Sequence, residues 1–87
     1  MAVLVVVSVF DGAAQAFGRP IFVPSKGVAM RSFSDEINRA APDNQMYQHP
    51  EDFELYELCE FDEESGEFTP STCKVLMRGK EVYIAKE

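Results

Sequence analysis

The first apolar run, Ala2 to Phe10, reads Ala-Val-Leu-Val-Val-Val-Ser-Val-Phe and has no helical period. Its β-branched valines put apolar residues on both faces, which suits a central strand covered on each side. Asp11-Gly12 is a turn signal. The chain then returns through Gln15 to Val23, but Pro20 cannot donate to a ladder. This second strand is therefore an edge strand, or is broken by a bulge near Gly18. The two strands form a hairpin that Pro24 ends. Ser25 follows as an N-cap, its hydroxyl able to accept from free helical amides. Ala29, Phe33 and Ile37 recur every four residues, with Met30 beside them, and predict one apolar stripe on a helix from Lys26 to Arg39. Gly27, Ser32, Ser34 and Asn38 lower its propensity, so packing on the sheet must hold it. Arg39 meets the negative end of the helix, and Pro42 stops it.

Asp43 to Gln48 reads as a polar connector. Pro50 suits the first position of a short helical turn, with Glu51 and Asp52 at its positive end. Glu54 to Phe61 is the third strand. Simple alternation puts Leu55, Cys59 and Phe61 on one face, and Tyr56 and Leu58 on the other. Both faces are thus partly apolar, as expected if one packs on the helix and the other meets a partner chain. Ser65-Gly66 is placed where a tight hairpin loop needs positive φ. Phe68 supplies an apolar contact before Thr69-Pro70, and Cys73 to Met77 is a fourth strand. Arg78-Gly79-Lys80 turns, and Val82 to Ala85 is a last short strand or extended tail. The pattern predicts an α+β fold: one domain over residues 1–87, with a small antiparallel sheet of about four to five strands and one helix packed on a face.

Charge changes this picture, because the net −7 is spread unevenly. Residues 1–41 carry four basic and three acidic groups, residues 42–68 carry ten acids and no Lys or Arg, and residues 69–87 carry four bases and two acids. An acidic hairpin repels phosphates, so any nucleic-acid contact must use a local basic face. The chain is long enough for a single core, and 46% hydrophobic with 26% charged residues is ordinary for a globular domain. Met1 to Ala16 imitates a signal peptide, but no basic region precedes the apolar run and Asp11-Gly12 closes it. A buried first strand is the better reading, and no stretch is long enough to predict a transmembrane helix. Cys59 and Cys73 could face one another across the hairpin, yet a chain this apolar does not need a disulfide, and two reduced, partly buried thiols are expected.

Candidate chemistry is sparse. Asp62-Glu63-Glu64 lacks the alternating oxygen ligands of a calcium loop, and His49, Cys59 and Cys73 lack a Cys-x-x-Cys pair, so no metal or other cofactor is expected. His49 before Pro50 reads as a surface or capping residue. There is no phosphate loop, nucleophile elbow or metalloprotease motif, and Ser8 lies in a buried strand without an activating base. An enzyme is not expected. Arg19, Lys26 and Arg31 lie near Phe17 and Phe22, while Lys74, Arg78 and Lys80 lie on the last hairpin near Tyr83. Bases could stack on such rings while the cations meet phosphates. Taken alone, the pattern favours the plainer reading of core rings and ordinary surface charge.

The run His-Pro-Glu-Asp-Phe-Glu-Leu-Tyr-Glu-Leu at 49–58, followed by Glu-Phe-Asp-Glu-Glu-Ser-Gly-Glu-Phe at 60–68, resembles the small non-structural protein of microviruses of the gokushovirus type. Those are single-stranded DNA phages. An N-terminal strand, a Pro followed by an aromatic at 20–22, and a helix carrying Arg31-Ser32-Phe33-Ser34-Asp35 agree with it. The resemblance implies a non-catalytic accessory protein of genome replication and packaging, working in the host cytoplasm, with single-stranded DNA and phage replication or packaging proteins as partners. DNA would be held over Arg19, Lys26 and Arg31, with Phe17 or Phe22 stacking. The rival expectation is an acidic protein-interaction module that docks on a basic host or viral protein through Glu60, Glu63, Glu64 and Glu67. Exposed sheet edges and the two apolar faces of the third strand add the expectation of a homodimer and no membrane.

Overall fold

The computed structural model describes residues 3–84, with the side chains of residues 71 and 72 left aside. The predicted ends at Ala2 and Ala85 lie outside the described residues. Five antiparallel strands form one sheet: β1 (Val3–Asp11), β2 (Ala16–Phe17), β3 (Ile21–Val23), β4 (Phe53–Asp62) and β5 (Glu67–Arg78). Strand β1 is central, with β4 on one side and both β2 and β3 on the other, and β5 forms the far edge. The predicted break in the second strand is real. Gly18 to Pro20 leave the ladder, and β2 and β3 pair separately with β1.

Helix α1 (Lys26–Ile37) crosses one face of this sheet. Ser25 caps it, accepting from the Val28 amide at 3.3 Å. Ala29, Phe33 and Ile37 are its buried residues, as the four-residue spacing predicts. They pack on Val5 and Val7 of β1, Val23 of β3 and Leu55 of β4, with Val9, Phe53 and Met77 around them. This is the hydrophobic core, and it lies wholly on the helix side. The helix ends at Ile37, two residues short of Arg39, because Asn38 turns out of helical geometry and caps it. On the other face of β1 no layer of secondary structure covers the sheet among the described residues. The strand is nevertheless central and buried on both faces, as its apolar pattern predicts, since Val6 and Ser8 on this side are as buried as Val5 and Val7 on the helix side.

Three irregularities set the faces of the β4–β5 hairpin: Leu55 pairs with Met77 and Tyr56 with Val75, so Leu76 is an extra residue in β5. Val6 pairs with Cys59 and Val7 with Glu57, so Leu58 is an extra residue in β4. Opposite it, Pro70 pairs with Cys59 and Lys74 with Glu57, which leaves residues 71–73 bulged. Cys73 takes φ 50° there. An inserted residue reverses the parity of side chains beyond it. Leu55 and Glu57 therefore face the helix, while Tyr56, Cys59 and Phe61 share the other face. The simple alternation that grouped Leu55 with Cys59 and Phe61 is overturned by this bulge. The fourth strand also starts earlier than Cys73, since β5 runs from Glu67 through Pro70.

Three short helical segments close the helix end of the sheet: α2 (Gln45–Gln48), a 3-10 turn (Pro50–Asp52) and α3 (Gly79–Val82). The turn at Pro50 is as predicted. Helix α2 replaces the polar connector, and α3 replaces both the turn at Arg78 to Lys80 and the start of the last strand. Asn44 is buried and organises this corner. Its Nδ2 donates to the carbonyls of Glu36 and Arg39, both at 2.9 Å, and its Oδ1 accepts from the Met46 amide at 3.1 Å. Asn38 ties down the last described segment, donating to Val82 O and accepting from the Ile84 amide. Gly79 is required at the contact of α3 with the Pro50 turn. A Cβ there would collide with the Pro50 carbonyl oxygen and stand 2.8 Å from Ile37 Cδ1.

Candidate functional site

The uncovered face of the sheet carries two groups of aromatic rings. Phe10, Phe17 and Tyr56 form the first, with centroids 4.8 Å apart for Phe10 and Phe17 and 5.2 Å for Phe17 and Tyr56. Phe22, Phe61 and Phe68 form the second, at 4.8 to 6.2 Å. In each group, rings from strands on opposite sides of β1 lean inward until they meet above it. Strands two places apart are separated by about 9–10 Å, so the rings bridge that gap over the β1 backbone. This explains why Val6 and Ser8 are buried without a covering layer: Val6 lies beside Phe22 and Cys59, and Ser8 beside Tyr56. The Ser8 hydroxyl is satisfied by donating to Gly18 O at 2.7 Å.

The groups are offset along β1: Phe17 pairs with Phe10 and Phe22 with Val6 on one side, and Tyr56 with Ser8 and Phe61 with Leu4 on the other, four residues or about 13 Å in each case. Their outer rings are open: Phe17 is 47% exposed, Phe22 49% and Phe68 55%.

Charge separates the two groups. Arg19 follows Phe17 by two residues and is exposed, and it enters no ion pair among the described residues. Arg78 lies across the ladder from Glu54, on the face that carries Tyr56, and its Nε is 3.2 Å from Glu54 Oε2. The Tyr56 hydroxyl donates to the other oxygen of Glu54 at 3.1 Å, and this bond holds the phenol above its usual pKa of 10.0. Arg78 Nη1 also lies 3.7 Å from Glu81 Oε2, so this guanidinium is answered by two carboxylates, and Arg19 is the cation close to Phe17 in the chain that enters no such pair among the described residues. The Phe22 group stands beside the acidic hairpin tip, residues 62–67, where Gly66 makes the turn at φ 76°.

The residues picked out from sequence are divided by the sheet. Phe17 and Phe22 are on the uncovered face, one in each ring group. Lys26 is on the helix side, 3.5 Å from the buried carboxylate of Glu57, and Lys74 approaches the same oxygen at 3.9 Å. Arg31 is exposed on α1, away from the Ala29–Phe33–Ile37 stripe that meets the sheet. Only Arg19 remains near Phe17. Of the acidic set, Glu63 and Glu64 are in the hairpin loop and Glu67 opens β5 opposite Asp62, while Glu60 pairs with Val5 and faces the helix side. Sequence reasoning does not single out Phe10 or Tyr56 as site residues, and it groups Arg78 with Tyr83 on the last hairpin; that Arg78 shares a face with Tyr56 becomes legible only once the extra residue at Leu76 is placed.

Other groups are less organised. His49, Glu51 and Asp52 bring ligand atoms within 4.8 Å of one another, but His49 and Glu51 are exposed and no buried polar group points into the cluster. His49 ends α2 and begins the Pro50 turn, in keeping with a capping position. Cys59 and Cys73 are free; Cys59 is half-buried, whereas Cys73 is exposed rather than partly buried. An apolar groove of about 170 Å³ lies on the helix side between α1 and β3, lined by Val9, Ile21, Phe33 and Met46 among others. No helix among the described residues is long and apolar enough to cross a membrane.

A family model described as Phage ORF5 protein matches residues 4–82. No curated protein matches the chain, and no solved structure does.

Proposed function

The chain belongs to the Phage ORF5 protein family, and from that premise we propose that it is the non-structural accessory protein of a gokushovirus-type microvirus. It acts in the host cytoplasm, in single-stranded genome replication and packaging, by binding and not by catalysis. The phage family supports the coarse reading, and the resemblance in residues 49–68 supports the finer one.

The observation that carries the binding step is the Phe10–Phe17–Tyr56 group with Arg19 close to Phe17 in the chain. Single-stranded nucleic acid is held where bases stack on rings and phosphates meet nearby cations. Phe17 offers an open ring, Tyr56 stands behind it, and Arg19, two residues from Phe17, enters no ion pair among the described residues, whereas Arg78 is answered by Glu54 and Glu81. Lys26 and Arg31 lie on the helix side, outside this surface. A homodimer joined along the free edge of β5 sets two such surfaces in one particle and offsets the unfavourable net charge.

Fluorescence anisotropy with labelled oligothymidine at low salt tests this reading. Phe17→Ala is expected to weaken binding by about 1–3 kcal/mol, and Arg19→Ala to flatten the salt dependence. Circular dichroism checks that each variant is folded. No binding by the wild type, or equal binding by both variants, overturns the reading.

A further inference from the structure

The second ring group has different surroundings and suits a different ligand. Phe61 and Phe68 are ladder partners with centroids 4.8 Å apart, and Phe22 reaches over from β3 to within 5.5 Å of Phe61. Phe22 and Phe68 are each about half exposed, so a continuous apolar patch is left open on a well-paired hairpin. The next ladder pair outward is Asp62 with Glu67, and the loop beyond it holds Glu63 and Glu64. From residue 42 to residue 68 there is no Lys or Arg. Asp62 and Glu67 alternate with the rings, so the carboxylates border the patch from the tip and the reverse side and do not stand among the rings.

This arrangement discriminates between occupants. A phosphate chain laid over the patch meets only like charge at the tip. A second copy set face to face with its strands aligned brings two carboxylate tips together, with the same penalty. A polypeptide segment with an apolar anchor and flanking Lys or Arg satisfies both features. Its anchor fills the space between rings, its cations meet the carboxylates, and an arginine can also lie over a ring face. We propose that the Phe22–Phe61–Phe68 patch and its acidic tip form a docking site for a basic, apolar-anchored segment of a partner protein. Ring for ring the site is offset from the Phe10–Phe17–Tyr56 group by four residues of β1, about 13 Å, and it does not depend on DNA being bound there.

The test uses the full chain and three synthetic peptides followed by amide chemical shifts. One peptide has a central Leu-Phe flanked on both sides by lysines, the second is oligolysine of equal charge, and the third has Leu-Phe flanked by glutamates. The first is expected to bind with shifts concentrated at Phe22, Phe61, Phe68 and the tip, at least about tenfold more tightly than either control. Phe68→Ser, at an exposed position, and Glu63→Gln with Glu67→Gln are each expected to weaken it about tenfold or more. Neither change should alter oligothymidine affinity beyond a factor of about two. Equal binding of oligolysine would reduce the site to bulk charge and overturn the proposal. Shifts centred on Phe17 and Tyr56, or loss of DNA affinity in Phe68→Ser, would give the patch to nucleic acid. Loss of self-association in Phe68→Ser would give it to a second copy.

Discussion

The ammonium of Lys26, at the first turn of α1, stands 3.5 Å from Oε1 of Glu57, a carboxylate buried in the sheet beneath the helix. Lys74 reaches the same oxygen from β5 at 3.9 Å, so one buried charge is answered from a helix and from a neighbouring strand. Neither contact is a hydrogen bond to that oxygen. A buried carboxylate deprived of its counter-charges is costly, whereas an apolar residue of similar size at the same place is often tolerated. Lys26→Met with Lys74→Met is expected to lower unfolding free energy by about 3 kcal/mol, and Glu57→Leu to change it far less. Urea melts of the two variants against wild type check the order. Because Lys26 is held by Glu57, Lys26→Ala should also leave oligothymidine affinity unchanged where Arg19→Ala reduces it.

Asn44 satisfies two carbonyls at the end of α1 and one amide at the start of α2 with a single buried side chain. Alanine there leaves those groups without partners inside the protein. Asn44→Ala is expected to cost about 2–3 kcal/mol, and Asn44→Asp nearly as much, because the carboxylate cannot donate to Glu36 O or Arg39 O. Thermal denaturation measures both.

Glu36 and Arg39 make a two-pronged surface pair, with Arg39 Nη2 2.7 Å and Nε 2.9 Å from the carboxylate oxygens. The bond from Arg39 holds the Glu36 pKa below its usual 4.5. The folded pKa is thus below the unfolded one, so the stabilisation is present above pH 4.5 and is lost as pH falls through the folded value. Both side chains are more than a third exposed, and solvent screening keeps the effect small. Arg39→Ala should melt slightly below wild type at neutral pH and together with it in acid.

Among the described residues no strand pairs with the outer edge of β5, and Pro70 and the bulges interrupt it, so a second copy has its short regular stretches to pair with. Sedimentation equilibrium is expected to give twice the 9.8 kDa mass of one chain. The dimer should survive Phe68→Ser and Phe17→Ala, which act on the face of the sheet and not on its edge. A monomer at all concentrations would remove the dimer from the functional reading.

Much of the fold was written in local pattern. The valine run, the Ser25 cap, the Ala29–Phe33–Ile37 stripe, the break at Pro20 and the turn at Gly66 each follow from residue-level sterics or periodicity, and each is where those forces put it. The α+β class followed from adding them together. What local pattern could not supply was the parity of the β4–β5 hairpin. Extra residues at Leu58, at Leu76 and at 71–73 change which side chains share a face, and a bulge is a property of two paired strands and not of either alone. Parity in turn decided that Phe61 leaves the face of Leu55 and Glu57 and joins Phe22 and Phe68 in the open. The short helices α2 and α3 escaped notice for a related reason. Each is a single turn held by distant partners, Asn44 with Glu36 and Gly79 with Pro50, and a single turn carries no period to read. The candidate sites depended most on tertiary structure. Rings at 17, 22, 56, 61 and 68 are ordinary in sequence, and only the sheet sorts them into one group beside arginines and another beside carboxylates.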